Sequence, residues 1–294
     1  MYNFVILNTC KKYTVYNPIK LNIVSHKIDY VPKAILIHLH GIGCHFQQDV
    51  DCMDTFEYKI NKLKDLNIVS YGLELRGHGK SDGLRFHANR FDEYVSDLHT
   101  LVCYLKEKYS LIPIYLTGES MGGGLAIIYS LKYKNNIKGM GLFAPMIGID
   151  MKIPKFIIFI FYILSYIVPL WEIVKPFSIN KTDIFKFKKY NTNCQYAFNK
   201  PGRLCTTREC FLAMKRINNN IDNFNCAIII FHSKYDKITS SNSSKQFIHN
   251  CKSIDKEYVE LDLDTHSLIT RANKYDKNPD EIYNQFYIWL KKHI

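Results

Sequence analysis

The chain has 294 residues, enough for one large α/β domain with an insertion or for two small domains. Hydrophobic residues make up 47% of it, which supports a sizeable core and argues against wholesale disorder. The net charge of +12 comes from basic residues interleaved with Asn and without a nucleic-acid motif. It therefore reads as solvated surface with weak attraction to acidic lipid, not as a nucleic-acid footprint.

Short apolar runs alternate with amphipathic stretches along the chain. Ala34–Leu39 reads as a strand ending at His40-Gly41, Asp54–Leu66 as a helix, and Ile68–Leu75 as a second strand ending at Arg76-Gly77-His78-Gly79. Phe91–Tyr109 is the clearest helix, because Phe91, Tyr94, Val95, Leu98, Leu101, Val102 and Leu105 recur at helical spacing. Pro113–Thr117 is a third strand, followed by Gly118 and a helix from Met121 to Tyr133. Ile137–Ala144, Ala227–His232 and Tyr258–Leu263 are the fourth to sixth strands. A last helix follows Asn278-Pro279 and carries Ile282, Phe286, Trp289 and Leu290 on one face.

This alternation predicts a mostly parallel, doubly wound α/β sheet. Residues 146–225 interrupt it with an apolar front half (Ile153–Val174) and a basic back half. The expected division is a core of 1–145 and 226–294 with an inserted helical cap at 146–225. In the back half, Cys210, Phe211, Met214 and Ile217 share helical spacing. Every motif below follows a predicted strand, so all can converge on the carboxyl edge of the sheet, where such folds bind ligands.

Gly118-Glu119-Ser120-Met121-Gly122 lies between a strand and a helix. A serine there must occupy a very tight turn that lifts its hydroxyl above the sheet, with Gly118 and Gly122 removing side chains that would clash. The helix start aims N–H groups at a developing oxyanion. His40-Gly41-Ile42-Gly43 supplies the second donor, which nominates the backbone N–H groups of Ile42 and Met121. Asp236 follows the fifth strand and His266 the sixth, in the order Ser, Asp, His. His266 would take the Ser120 proton while Asp236 orients its ring. Asp150, Asp262 and Asp264 rank behind Asp236 as the acid. His40, Arg76 and His78 read as braces rather than bases. Arg76–Gly83 lacks the spacing of a phosphate loop.

Together these motifs resemble the monoglyceride lipase and lysophospholipase branch of the α/β-hydrolases, also called hydrolase-4 or serine aminopeptidase-like. The residues that carry the resemblance are His40-Gly41, Arg76–Gly83, Phe91, Tyr94, Asp97, Gly118–Gly123, Phe143-Ala144-Pro145, Asp236, His266 and Trp289-Leu290. Glu119 before the serine looks like plant and protozoan members, including protozoan esterases that cleave small acyl esters. The resemblance implies the α/β-hydrolase fold, the triad already argued, a cap over the site and esters of single-chain lipids as substrates. Two departures stand out: Ser233-Lys234-Tyr235 replaces the usual Gly ahead of the acid, and Thr265 precedes the histidine.

The cap is the clue to substrate. Phe159, Tyr166, Leu170 and Trp171 represent an apolar surface suited to an acyl chain or to peripheral contact with a membrane; the plainer alternative is an internal helix packed on the core. Nine scattered cysteines without CxxC or zinc spacing read as free thiols in a reducing compartment, with no metal or cofactor expected. Met1–Lys12 makes a poor signal peptide. The run Phe156–Trp171 is shorter than the ~20 residues of a spanning helix. The expectation is an intracellular protein, cytoplasmic or peripheral to a membrane. Acyl transfer, or an apolar-ligand sensor without turnover, remain as alternatives, and the sequence leaves the oligomeric state open.

Overall fold

The apolar runs become strands of one eight-stranded sheet in the computed structural model, which describes residues 2–8, 19–26, 28–46, 56–150, 153–174, 196, 202–269 and 278–294. Its strands are β1 (Tyr2–Asn8), β2 (Ile19–Ser25), β3 (Ala34–Leu39), β4 (Ile68–Leu73), β5 (Ile114–Glu119), β6 (Gly139–Phe143), β9 (Ala227–Ser233) and β10 (Lys256–Leu261). Two short strands, β7 (Glu172–Val174) and β8 (Gly202–Arg203), pair separately. The helices are α1 (Phe56–Lys62), α2 (Phe91–Lys108), α3 (Met121–Lys132), α4 (Lys155–Ile167), α5 (Leu204–Asn219), α6 (Ser241–Asn250) and α7 (Asn278–Lys291).

The order across the sheet is β1-β2-β4-β3-β5-β6-β9-β10. From β4 to β10 every pairing is parallel, while β1 and β2 add an antiparallel edge. After β3 the chain first goes to one side, to β4, and then to the other, to β5. The carboxyl ends of β3 and β5 therefore flank the switch point, the crevice where open α/β sheets bind ligands.

Period-2 alternation assigns each strand residue a face. Ile35, Ile37, Leu116, Leu142 and Ile230 join the core shared with α2, α3 and α5. Leu36, Tyr115, Phe143, Ile229 and Phe231 join the core built with Phe286 and Trp289 of α7. All seven apolar residues of the α2 stripe are buried. β10 is the least covered of the parallel strands, and its Lys256, Glu257 and Glu260 blunt a sheet edge.

Between β6 and β9 lie α4, β7, β8 and α5. Ala213, Met214 and Ile217 of α5 enter the main core, with Cys210 and Phe211 packed beside it. In α4, by contrast, Ser165 alone is buried. Arg208 of α5 holds α4 by donating to Ser165 O at 2.9 Å and by lying 4.1 Å from the Tyr166 ring centroid. The packed-helix alternative for this run is thus not what the chain adopts: the apolar face of α4 points outward.

Candidate active site

Ser120 joins β5 to α3 at φ 50°, ψ −114°, a left-handed conformation that a non-glycine residue adopts only under constraint. The constraint is visible in the backbone. Ser120 N donates to Phe143 O at 3.0 Å, and Ser120 O accepts from Gly123 N, Gly124 N and Met146 N at 2.9–3.1 Å. The turn leaves no room beneath it: a Cβ on Gly118 would lie 2.6 Å from the Gly122 carbonyl carbon. The Glu119 carboxylate points elsewhere and accepts from Lys59 Nζ at 2.5 Å, tying α1 to the turn.

Gly41 packs directly on the serine, since a Cβ there would sit 3.4 Å from Ser120 Cβ. Cys44 N donates to Gly41 O at 3.2 Å, and Gly43 takes φ 76°, the signature of a type II turn over Ile42-Gly43. Ile42 is exposed and Met121 buried. His40 is a brace, as the sequence suggested. Its Nδ1 donates to Gly41 O at 2.8 Å and its Nε2 accepts from Leu75 N at 3.1 Å. Arg76 makes a two-pronged pair with Asp97 at 2.6 and 2.7 Å, and His78 Nδ1 donates to Arg76 O at 2.9 Å.

One organising residue escaped the sequence reading. Glu74, fully buried just past β4, accepts from Phe46 N at 3.0 Å, Asn22 Nδ2 at 2.9 Å and Lys80 N at 2.7 Å. It binds the loop after β3 to the loop after β4. Its one sequence signal is an acidic residue at the end of an apolar run.

Asp236 and His266, both buried, meet across the loops after β9 and β10: His266 Nδ1 lies 2.7 Å from Asp236 Oδ2. A carboxylate only accepts, so the proton sits on Nδ1 and Nε2 is the basic atom. Asp236 Oδ1 also accepts from Ile238 N at 2.8 Å and Thr239 N at 3.2 Å, and Thr239 Oγ1 reaches Oδ2 at 3.0 Å. Burial alone would raise the pKa of Asp236. The His266 and His232 imidazoles outweigh it and hold the carboxyl well below the usual range. Among the rival acids, Asp150 accepts from Ser240 Oγ at 2.5 Å, while Asp262 and Asp264 are exposed.

The departures from the family pattern have a structural counterpart. Ser233 Oγ donates to Thr265 O, so the first residue of the Ser233-Lys234-Tyr235 segment ties the acid's loop to the histidine's loop. Ser120 connects to the same assembly through β6, because Ser120 N bonds Phe143 O and Thr239 Oγ1 donates to Ala144 O at 3.1 Å. Phe159, Tyr166, Leu170 and Trp171 are each at least half exposed. Among the described residues, no cluster of His, Cys, Asp or Glu has the arrangement of a metal site.

A parallel sheet with a switch point, a serine on a strained strand-to-helix turn and an Asp–His pair on later loops define an α/β-hydrolase. A family model described as "Serine aminopeptidase, S33" matches residues 30–271, and the chain belongs to that family. Human monoglyceride lipase is 22% identical over 230 residues, covering 76% of this chain and 72% of that protein. The caffeoylshikimate esterase of Arabidopsis thaliana is 25% identical over 270 residues, covering 89% and 79%. The monoacylglycerol lipase of Paleococcus ferrophilus superposes with a TM-score of 0.76 at 20% identity, over 93% of this chain and 99% of that one. A soluble variant of monoglyceride lipase from Saccharomyces cerevisiae, in complex with a substrate analog, gives 0.72 at 19%, over 100% and 95%.

Proposed function

We propose that this chain is a serine esterase that cleaves carboxyl esters of monoacylglycerol or of small acyl compounds through an acyl-Ser120 intermediate. The observation that carries the reading is the union of a strained Ser120 turn with a His266–Asp236 pair at 2.7 Å on the same edge of the sheet. In the first half-reaction Ser120 Oγ attacks the ester carbonyl while His266 Nε2 takes its proton. The backbone N–H groups of Ile42 and Met121 receive the oxyanion. His266 then protonates the departing alcohol, and in the second half it activates water against the acyl-enzyme. Asp236 keeps the ring in its Nδ1–H tautomer and stabilises the imidazolium.

The substrate class rests on the company the chain keeps, relatives named monoglyceride lipase and caffeoylshikimate esterase, and on the cap. The 146–225 insertion is read as that cap, seated on the core through α5. The outward face of α4, with Phe156, Phe159, Tyr166 and Ile167 all more than 60% exposed, is read as a surface that dips into lipid. No described helix is long and apolar enough to cross a membrane, so contact would be peripheral, in a reducing compartment that keeps cysteines such as Cys44 and Cys103 as thiols. The test is hydrolysis of 1-monooleoylglycerol and p-nitrophenyl butyrate by wild type and Ser120→Ala. The variant is expected to lose about a thousandfold or more in kcat/KM; equal rates would refute the assignment.

A further inference from the structure

His232, the penultimate residue of β9, has no exposed surface, and nothing in the reaction above uses it. Its Nε2 lies 3.2 Å from Asp236 Oδ2 and 3.3 Å from Thr239 O. The carboxylate and the carbonyl only accept, and the third neighbour, Thr239 Oγ1 at 3.3 Å, can accept as well, so Nε2 carries a proton. On the other side of the ring, Nδ1 lies 2.8 Å from the Ser244 hydroxyl of α6, which donates to it in the neutral ring. One carboxylate oxygen, Asp236 Oδ2, therefore faces two imidazole N–H donors, His266 from the loop after β10 and His232 from β9. These two histidines are also the titratable groups whose charge bears on Asp236. Thr239 is a weaker third donor, because its single hydroxyl proton is also within reach of Ala144 O at 3.1 Å.

We propose that His232 is a positioning residue of the site: its Nε2–H, locked by Ser244, fixes the plane of the Asp236 carboxylate and withdraws charge from the oxygen that His266 uses. This rests on the reading of Ser120, His266 and Asp236 as the reacting groups. Two consequences follow. Without the donor, the Oδ2 side of the carboxylate keeps only the Thr239 hydroxyl besides His266 itself, and the plane that directs the His266 ring is less firmly fixed. The carboxylate also presents more negative charge to His266, which favours the imidazolium and makes the base protonate at higher pH.

The test compares wild type with His232→Leu, His232→Gln and His232→Asn. A Gln amide N–H reaches toward Asp236 from the Nε2 position, whereas an Asn amide reaches only toward Ser244. Turnover of p-nitrophenyl butyrate and the rate of fluorophosphonate labelling are followed from pH 5 to 9, with melting temperature as the control for folding. His232→Leu and His232→Asn are expected to lose about tenfold or more in kcat with KM little changed, and their acid limbs should move to higher pH. His232→Gln should recover most of kcat and the wild-type limb. Wild-type kcat and pH profile in His232→Asn, or equal losses in the Gln and Asn variants with an unmoved limb, would overturn the proposal; the Gln–Asn pair decides it even if the Leu variant does not fold. Absence of Ser120-dependent turnover in wild type is a separate result, which removes the catalytic reading and this proposal with it.

Discussion

At the residue scale the site depends on backbone more than on side chains. The positive φ of Ser120 costs roughly 1–3 kcal/mol, and the surrounding hydrogen bonds to Phe143, Gly123, Gly124 and Met146 hold it in place. Room beneath the turn matters equally: a methyl on Gly122 would overlap Leu39 O and lie 2.7 Å from His40 O, both rigid backbone. Gly122→Ala should therefore lower stability by about 1–3 kcal/mol and abolish fluorophosphonate labelling, as urea midpoints and adduct yield would report. An unchanged midpoint with full labelling would mean that the turn has slack. The residues proposed for chemistry were legible because each follows a strand within a recognisable local pattern, as Ser120 does in Gly118–Gly122. Glu74 and Thr239 were not, because they have partners far along the chain: Glu74 meets Asn22 and Phe46, and Thr239 meets Ala144 and His266. Nor was His232, because a histidine near the end of an apolar strand carries no local sign that the following loop turns Asp236 back onto it.

Elements were legible where one face is buried continuously. The α2 stripe and the strands β3, β5 and β9 lie within two residues of the bounds read from periodicity. β2 was missed because its apolar residues are interleaved with Lys20 and Asn22 rather than continuous, and the buried Asn22 amide finds its partner, Glu74, far along the chain in the loop after β4. α6 was missed because its sequence is polar; Phe247, Ile248 and Ser244 are its buried residues. α4 is the opposite case, an apolar segment of which Phe156, Phe159, Tyr166 and Ile167 stay mostly exposed while Phe161 packs on Phe211 of α5. Each large apolar side chain fully removed from water contributes about 1.5–3 kcal/mol, so even shallow insertion of Phe156, Phe159 and Tyr166 into lipid is favourable. Phe159→Asp with Trp171→Asp should reduce co-sedimentation with anionic vesicles and leave hydrolysis of p-nitrophenyl butyrate unchanged. Vesicle binding at the wild-type level would remove α4 from the membrane reading.

Over the whole molecule, the loops around the switch point carry buried, neutral histidines. The rings of His40 and His78 lie 4.9 Å apart. Burial pushes His78 down to about 4 and His40 well below its usual value; the bond from His78 to Arg76 O offsets only part of this. Between pH 6.5 and 4 the unfolded chain binds a proton at His78 that the folded chain does not, so stability falls as pH drops through that window. The loss for His78 alone is on the order of 3 kcal/mol. Urea midpoints should be lower at pH 5 than at pH 7.5. His78→Asn, which keeps a donor toward Arg76 O, should flatten that dependence. An identical slope in the variant would place the acid sensitivity elsewhere.

The central claim is an activated Ser120. The most direct measurement is mass spectrometry of the peptide labelled by a fluorophosphonate probe in wild type, Ser120→Ala and His266→Ala. An adduct on Ser120 in wild type that disappears in both variants is the result predicted. Folded wild-type protein that takes no label, or an adduct that persists in His266→Ala at the wild-type rate, would contradict it.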